Sequence, residues 1–210
     1  MELLEKGLEL LGLAADPRAV ASLRSYLLEI ELWNRRYGLV HAAGEELIVR
    51  HVLDSLAAVP LIRRLPHAEI ADVGSGAGFP GIPLALFLDD AHLTLIERSG
   101  KKAGFLRNAV ALCGIGERVS VFEGDFASAT PGFEMVLFRA LGSLPDLVEP
   151  LLRLTAAGGS VVAYKGRAEI LGPEIAGTAS SLIASVEVIA TKVPFLEEER
   201  NLVVFRKTLR

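Results

Sequence analysis

The sequence predicts an α/β fold in which a mostly parallel sheet, covered by helices on both faces, follows a helical N-terminal extension. Three observations predict it. The first 65 or so residues repeat their apolar side chains at helical spacing. From Glu69 the rhythm changes to short apolar runs separated by helical stretches. The first of these runs ends in "GSGAGFPG", residues 74–81, a glycine-rich turn of the kind that follows the first strand of an open α/β sheet.

In the extension, Asp16 and Pro17 supply an N-cap and a first helical position, after which Val20, Leu23, Leu27 and Ile30 recur on one face. That stripe needs a partner surface. A second helical segment from Glu45 sets Ile48, Val52 and Leu56 on one face, and Pro60 and Pro66 close the region. Between the two lies an aromatic and basic connector, "WNRRYGLVHAAG". Strands are expected at Ile70–Val73, Leu93–Ile96, Val119–Phe122, Met135–Phe138 and Ser160–Tyr164, with helices in the gaps. A further helix is expected over Glu169–Ala184, broken near Pro173. Two more strand-like runs, "VEVIATKV" and "NLVVFRK", are joined by "PFLEEER". That joint is too short for a helical crossover, so the last pair is antiparallel.

With 210 residues, 51% of them apolar, the chain is long enough to bury one core, and one catalytic-size domain is expected after the extension. No stretch approaches the roughly 20 uninterrupted apolar residues of a membrane span. The N-terminus "MELLEKGLELLGLAADP" carries acids where a signal peptide carries a basic end, so a cytoplasmic protein without a membrane partner is expected. The single cysteine, Cys113, excludes an internal disulfide, cannot form a zinc site alone and reads as a buried core thiol; no metal site is predicted. A net charge of −4 argues against coating nucleic acid by bulk electrostatics. Short basic groups at Arg35 and Arg36, Arg50 and His51, Arg63 and Arg64, Lys101 and Lys102, and Arg206, Lys207 and Arg210 leave two readings open: a local basic face, or scattered solvated charge.

The glycine turn also admits two readings. Gly76, Gly78 and Gly81 match G-x-G-x-x-G, and Glu97 follows Gly76 by 21 residues, near the spacing of a ribose-binding acid in dinucleotide folds. Read from Asp72, however, Gly74, Gly76 and Gly78 form a tighter G-x-G-x-G. Pro80 and Pro83 then remove amide donors where a pyrophosphate needs them. Hydride-transfer equipment is missing too: Tyr164 and Lys165 are adjacent rather than spaced as Tyr-x-x-x-Lys, and no second glycine-rich turn follows. A methyltransferase using S-adenosyl-L-methionine fits better. Its cofactor has an amino-acid end for the glycine turn and Asp72, a ribose for Glu97, and an adenine for "EGDF", with Asp125 and Phe126.

The segments "RHVLDSL", "IADVGSGAGFPGIPLA", "SGKKAGFLRN", "FRALGSL", "YKG" and "ERNLVVF" occur in this order between Trp33 and Phe205. Together they closely resemble the bacterial 16S rRNA guanine-N7 methyltransferase family, also called glucose-inhibited division protein B. The resemblance implies a class I methyltransferase fold with a seven-stranded, mostly parallel sheet and an antiparallel C-terminal edge, divided into an extension at 1–66 and a catalytic domain at 67–210. It implies methyl transfer from S-adenosyl-L-methionine to N7 of one guanine, with 16S ribosomal RNA or a small-subunit assembly intermediate as partner and the protein acting as a monomer. It also implies cofactor contacts at Gly74 and Phe79, at the backbone of Phe126 and Ala127, and at Arg139. The chain departs from the family's usual strings at Gly124–Ala127, at Gly38–Val40, and at Phe138, which stands where a serine is more common.

Guanine N7 carries a lone pair and no proton at neutral pH, so methylating it needs alignment rather than a general base. A catalytic histidine or cysteine is therefore not required. The base must be accessible, which favours one exposed or flipped out of regular duplex. Arg139 and Lys165 are the candidate catalytic residues: Arg139 for the cofactor or guanine O6, Lys165 for a neighbouring phosphate. Arg50, His51, Lys101, Lys102, Lys165 and Arg200 are the candidate RNA contacts. Each has a plainer alternative. Arg139 also reads as a surface ion pair, Lys165 as a strand exit, His51 as a capped or stacked helix residue, and Trp33 as a packing aromatic rather than a base platform. Asp54 and Ser55 read as a bridge from the extension to the domain.

Overall fold

The computed structural model of the chain describes residues 2–13 and 16–209. Arg210, grouped above with Arg206 and Lys207, lies outside them. Helix α1 (Glu2–Leu10) is followed by α2 (Pro17–Tyr37), whose start is capped as expected by the Asp16 carboxylate, which accepts from the Arg18 amide at 3.1 Å. α2 ends on Gly38, which takes the left-handed conformation at φ 58° and donates its amide to the Asn34 carbonyl. The expected connector thus begins inside the helix: Trp33–Tyr37 is its last turn, because the stop signal is Gly38 rather than the aromatic cluster. Val20, Leu23 and Ile30 are buried with Tyr26, while Leu27 is only half-buried.

The second helical segment is one run of three pieces: α3 (Gly44–Leu47), a π-helical turn (Ile48–Leu53) and α4 (Asp54–Leu56). The Asp54 amide reaches back five residues to the Val49 carbonyl, and this wider turn rotates the buried face. Leu47, Val52, Leu53 and Leu56 are buried and Ile48 is not. Pro60 does not close the region; it sits in the first turn of α5 (Val59–Ile62), where a missing amide costs nothing.

Seven strands follow: β1 (Glu69–Val73), β2 (His92–Glu97), β3 (Val119–Glu123), β4 (Phe133–Arg139), β5 (Thr155–Lys165), β6 (Ile183–Thr191) and β7 (Arg200–Lys207). They form one sheet in the order β3-β2-β1-β4-β5-β7-β6, with β1 to β5 parallel and β7 antiparallel to both of its neighbours. Helices α6 (Gly81–Phe87), α7 (Gly100–Leu112), α8 (Leu144–Leu154) and α9 (Leu171–Ala176) connect them. α9 is far shorter than the helix expected to reach Ala184, which lies in β6. Pro173 does not break it, falling in the first turn; the end comes at Gly177, where the Thr178 hydroxyl donates to the Glu174 carbonyl.

Alternation along the strands sends the two faces of the sheet to different partners. Ile70, Leu93, Leu95, Leu137 and Val162 pack with α6, α7 and the N-terminal helices in one core. Ala71, Val73, Ile96, Val136 and Phe138 pack against α8 in the other. The expected partner surface for α2 is therefore the α6/α7 face of the sheet. Cys113 lies in that first core, where burial pushes its thiol up to about 11. Among the described residues no helix is long and apolar enough to cross a membrane.

Candidate functional site

The carboxyl ends of β1, β2, β3 and β4 converge on the glycine turn, the location where open α/β sheets bind ligands. Gly74, Gly76 and Gly78 all take positive φ, at 73°, 59° and 95°, which bends the chain away from β1 and into α6. Asp72 does not reach the surface of this turn. It is fully buried beneath it, and its Oδ2 accepts from the Gly81 amide at 3.0 Å. Burial raises its carboxyl to about 6, against the pull of that hydrogen bond. The expectation of a direct cofactor contact at Asp72 is corrected accordingly: the residue shapes the turn from below. Tyr26 of α2 supports the same turn, its hydroxyl donating to the Ala77 carbonyl.

A cavity of about 400 Å³ opens above these strand ends, a size suited to a small cofactor. Of the expected cofactor residues, Gly74, Glu97, Asp125, Phe126 and Arg139 line it. Glu97 joins β2 to the turn, its two oxygens accepting from the Gly76 amide at 2.9 Å and the Ser99 amide at 2.8 Å. Gly76 and Gly78 shape the turn without lining the cavity, and Phe79 is buried and does not line it either. Ala127 also lies off the cavity, because its amide is drawn to Asp125 Oδ1 at 2.9 Å, capping a short 3-10 turn. Lys102, expected to face RNA, lines this cavity instead, since it projects from the first turn of α7 toward the β2 end. Sequence reasoning missed Leu141, whose side chain lies against Gly74; a Cβ there would come within 2.6 Å of it. Ala140 beside it takes φ 51°, unusual for a residue with a side chain, and no residue type in "FRALGSL" signals this.

A second cavity, of about 330 Å³, shares Arg139 and Ala140 with the first. Its far wall comes from the π-helical turn and from β7. Arg139 Nη1 donates to the Arg50 carbonyl at 3.1 Å and to Asp54 Oδ2 at 2.9 Å, while Nη2 lies 2.7 Å from His51 Nδ1. The π turn makes this possible, because the Asp54 amide bonds to the Val49 and His51 carbonyls rather than to that of Arg50. Arg200 Nε closes on the other Asp54 oxygen at 2.9 Å, and the Tyr164 hydroxyl donates to the Ser55 carbonyl at 3.1 Å. Phe79 backs the group, 5.0 Å from the His51 ring and 5.5 Å from the Arg139 guanidinium.

The second cavity gathers Arg50, His51, Arg139, Lys165 and Arg200 from the expected site residues, yet its cations are compensated. Lys165 Nζ lies 2.7 Å from Glu174 Oε2, and Arg50 pairs with Glu46 and Glu198. Both cations are thus paired, by Glu174 of α9, by Glu46 of α3 and by Glu198 of the loop between β6 and β7. Arg139 is an ion pair, but an interior one. His51 is held neutral, since burial first and then Arg139 and Arg50 lower its ring to about 4. Lys101 stays exposed on α7 and lines neither cavity. Trp33 takes the packing role, edge-on to Phe105 at 5.5 Å.

The donor set of the first cavity fits S-adenosyl-L-methionine: a glycine cradle at β1, a carboxylate at the end of β2, and a carboxylate with an aromatic after β3. Comparisons with known proteins bear on the family and the fold. The sequence model of a family described as rRNA small subunit methyltransferase G matches residues 19–203. A Treponema pallidum protein named ribosomal RNA small subunit methyltransferase G is 41% identical over 194 residues, covering 89% of this chain and 85% of the relative. A Cellvibrio japonicus protein of the same name is 36% identical over 206 residues, covering 93% and 90%. Among solved structures, an O-methyltransferase from Bacillus cereus in complex with SAH superimposes with a TM-score of 0.60 at 16% identity, covering 87% of this chain and 91% of that one. That likeness shows the fold, a class I methyltransferase sheet.

Proposed function

The chain belongs to the rRNA small subunit methyltransferase G family, and from that membership we propose that it transfers a methyl group from S-adenosyl-L-methionine to N7 of a guanine in 16S ribosomal RNA. The observation that carries this reading is the pair of adjoining cavities that share Arg139 and Ala140 at the strand ends. One suits the methyl donor and the other the acceptor base.

When bound, the cofactor supplies a methyl group activated on a sulfonium. The chain's own task is alignment and charge balance. Gly74, Glu97, Asp125 and Phe126 would hold the donor, with Leu141 packed over Gly74 at the turn. Arg139, tied down by Asp54 and the Arg50 carbonyl, fixes the wall between donor and acceptor. Methyl transfer to N7 leaves the purine cationic, so an uncompensated positive neighbour opposes it. Here Lys165 has Glu174 and Arg50 has Glu46 and Glu198, while Arg139 and Arg200 share the single carboxylate of Asp54. No general base is needed, in keeping with a neutral His51 and a carboxylate, Asp54, already bound by two arginines.

In this reading residues 1–66 form the RNA-facing extension and 67–210 the catalytic domain, and the protein works as a cytoplasmic monomer on 16S RNA or on small-subunit assembly intermediates. The test is transfer of a labelled methyl group to naked RNA, small subunits and assembly intermediates from cells lacking the enzyme, followed by nucleoside analysis. Label in 7-methylguanosine is the expected result. Three unlabelled substrates, or label in another nucleoside, overturn it.

A further inference from the structure

We propose that the Nε2–H of His51 reads the acceptor purine by donating to its six-position carbonyl oxygen, so that His51 selects guanine over adenine; the inference rests on the purine N7 reading above. The tautomer follows from geometry. Arginine has only donors, so the 2.7 Å contact between Arg139 Nη2 and His51 Nδ1 makes Nδ1 the acceptor and leaves the ring proton on Nε2. Nε2 has no protein partner among the described residues, and His51 lines the acceptor cavity. The ring is held in place by Phe79 on its face and by the Arg139 fork on its edge.

Most of the neighbouring donors are engaged elsewhere. Arg139 Nη1 is shared between the Arg50 carbonyl and Asp54, so its fork is not free to read two atoms of a base. Lys165 is on Glu174 and the Gly142 carbonyl, the Tyr164 hydroxyl is on the Ser55 carbonyl, and Arg200 uses Nε for Asp54 and Nη1 for the Glu199 carbonyl, leaving Nη2, a charged donor, beside the neutral His51. On the exposed edge of guanine, N7 and O6 are both acceptors, and N7 must keep its lone pair for the methyl group. O6 is therefore the acceptor left for a protein donor on that edge. Adenine presents an amino donor at the same position, which sets two donors against each other. His51 is also neutral, so the contact adds no positive charge beside a purine that becomes cationic.

The test compares wild type, His51→Phe and His51→Gln on small subunits carrying either the target guanine or 2-aminopurine in its place, which keeps N7 and lacks O6. His51→Phe keeps a ring against Phe79 and removes the donor, whereas His51→Gln restores an N–H at similar reach. On guanine, His51→Phe is expected to lose about tenfold in kcat/KM, a loss that His51→Gln largely recovers. On 2-aminopurine, wild type is expected to fall by a similar factor and His51→Phe to fall no further. A His51→Phe loss that is equally large on both bases overturns the proposal, because a purely structural role predicts that result. So does an unchanged rate on guanine. If wild type yields no 7-methylguanosine on the guanine substrate, the N7 reading itself fails, and this outcome is visible before any variant is compared.

Discussion

Asp54 and Arg139 meet at 2.9 Å although 85 residues separate them, and the pair is the joint between the helical extension and the end of β4. Arg200 of β7 takes the other oxygen of the same carboxylate. The Asp54 side chain is only 6% exposed, so removing it leaves two arginines facing each other with little water to screen them. Asp54→Ala should destabilise the fold by about 3 kcal/mol and reduce methyl transfer severely, with Asp54→Asn intermediate. Urea unfolding and the labelled-methyl assay check both effects; a fully stable and active Asp54→Ala would remove this joint from the argument.

The Tyr26 hydroxyl ties α2 to the Ala77 carbonyl in the glycine turn. Tyr26→Phe keeps the ring against Phe79 and Phe105 but leaves that carbonyl without its partner. The expected cost is about 1–2 kcal/mol in stability, with weaker S-adenosyl-L-methionine binding by calorimetry. Unchanged cofactor affinity would show that the extension does not support the turn.

Asp72 and His51 titrate in opposite senses over overlapping windows. Folded Asp72 keeps its proton to about 6, well above its ordinary value, so the folded chain holds the extra proton between about 4 and 6 and stability falls as pH rises. Folded His51 protonates only near 4, against an ordinary value of about 6.5, so there the unfolded chain holds the extra proton and stability rises with pH. Relative to wild type, Asp72→Asn should therefore gain stability between about pH 4 and 7, and His51→Phe should lose it. Denaturation midpoints taken across that range read both trends; curves parallel to wild type contradict them.

Gly81 has an ordinary helical backbone, and its need for glycine is purely spatial. A Cβ there would run into the Leu95 side chain and come within 2.7 Å of Asp72 Oδ2. Gly81→Ala should cost about 1–3 kcal/mol and disturb cofactor binding through Asp72. A thermal melt and a binding titration measure the two effects, and a variant matching wild type in both would mean that Leu95 and Asp72 yield freely.

The central strands β1, β2 and β4 were legible because each is a short apolar run largely buried on both faces, and β3 because its apolar residues Val119, Val121 and Phe122 stand between turn signals even at the sheet edge. β5 starts five residues before the expected Ser160, since "TAAGG" offers no apolar signal until β4 lies beside it. The overlong α9 came from "AGTASSLIAS", where alanine suits a helix but no cap supports one. At the site, the glycine turn and Glu97 could be read locally because they lie at consecutive strand ends. The role of Asp72 could not, because burial is a tertiary property. The Asp54 joint draws on residues 85 and 146 positions away, and the π turn that aims it has no residue code.

β7 is the last strand in the chain but not the last in the sheet: it slots between β5 and β6 and brings Arg200 with it. During vectorial synthesis the strands that form the donor cavity emerge first, while the edge of β5 stays open and Asp54 waits for its second arginine. The cavity at the ends of β1 to β4 can thus take shape before the Asp54 joint is complete. That joint closes with the insertion of a single strand.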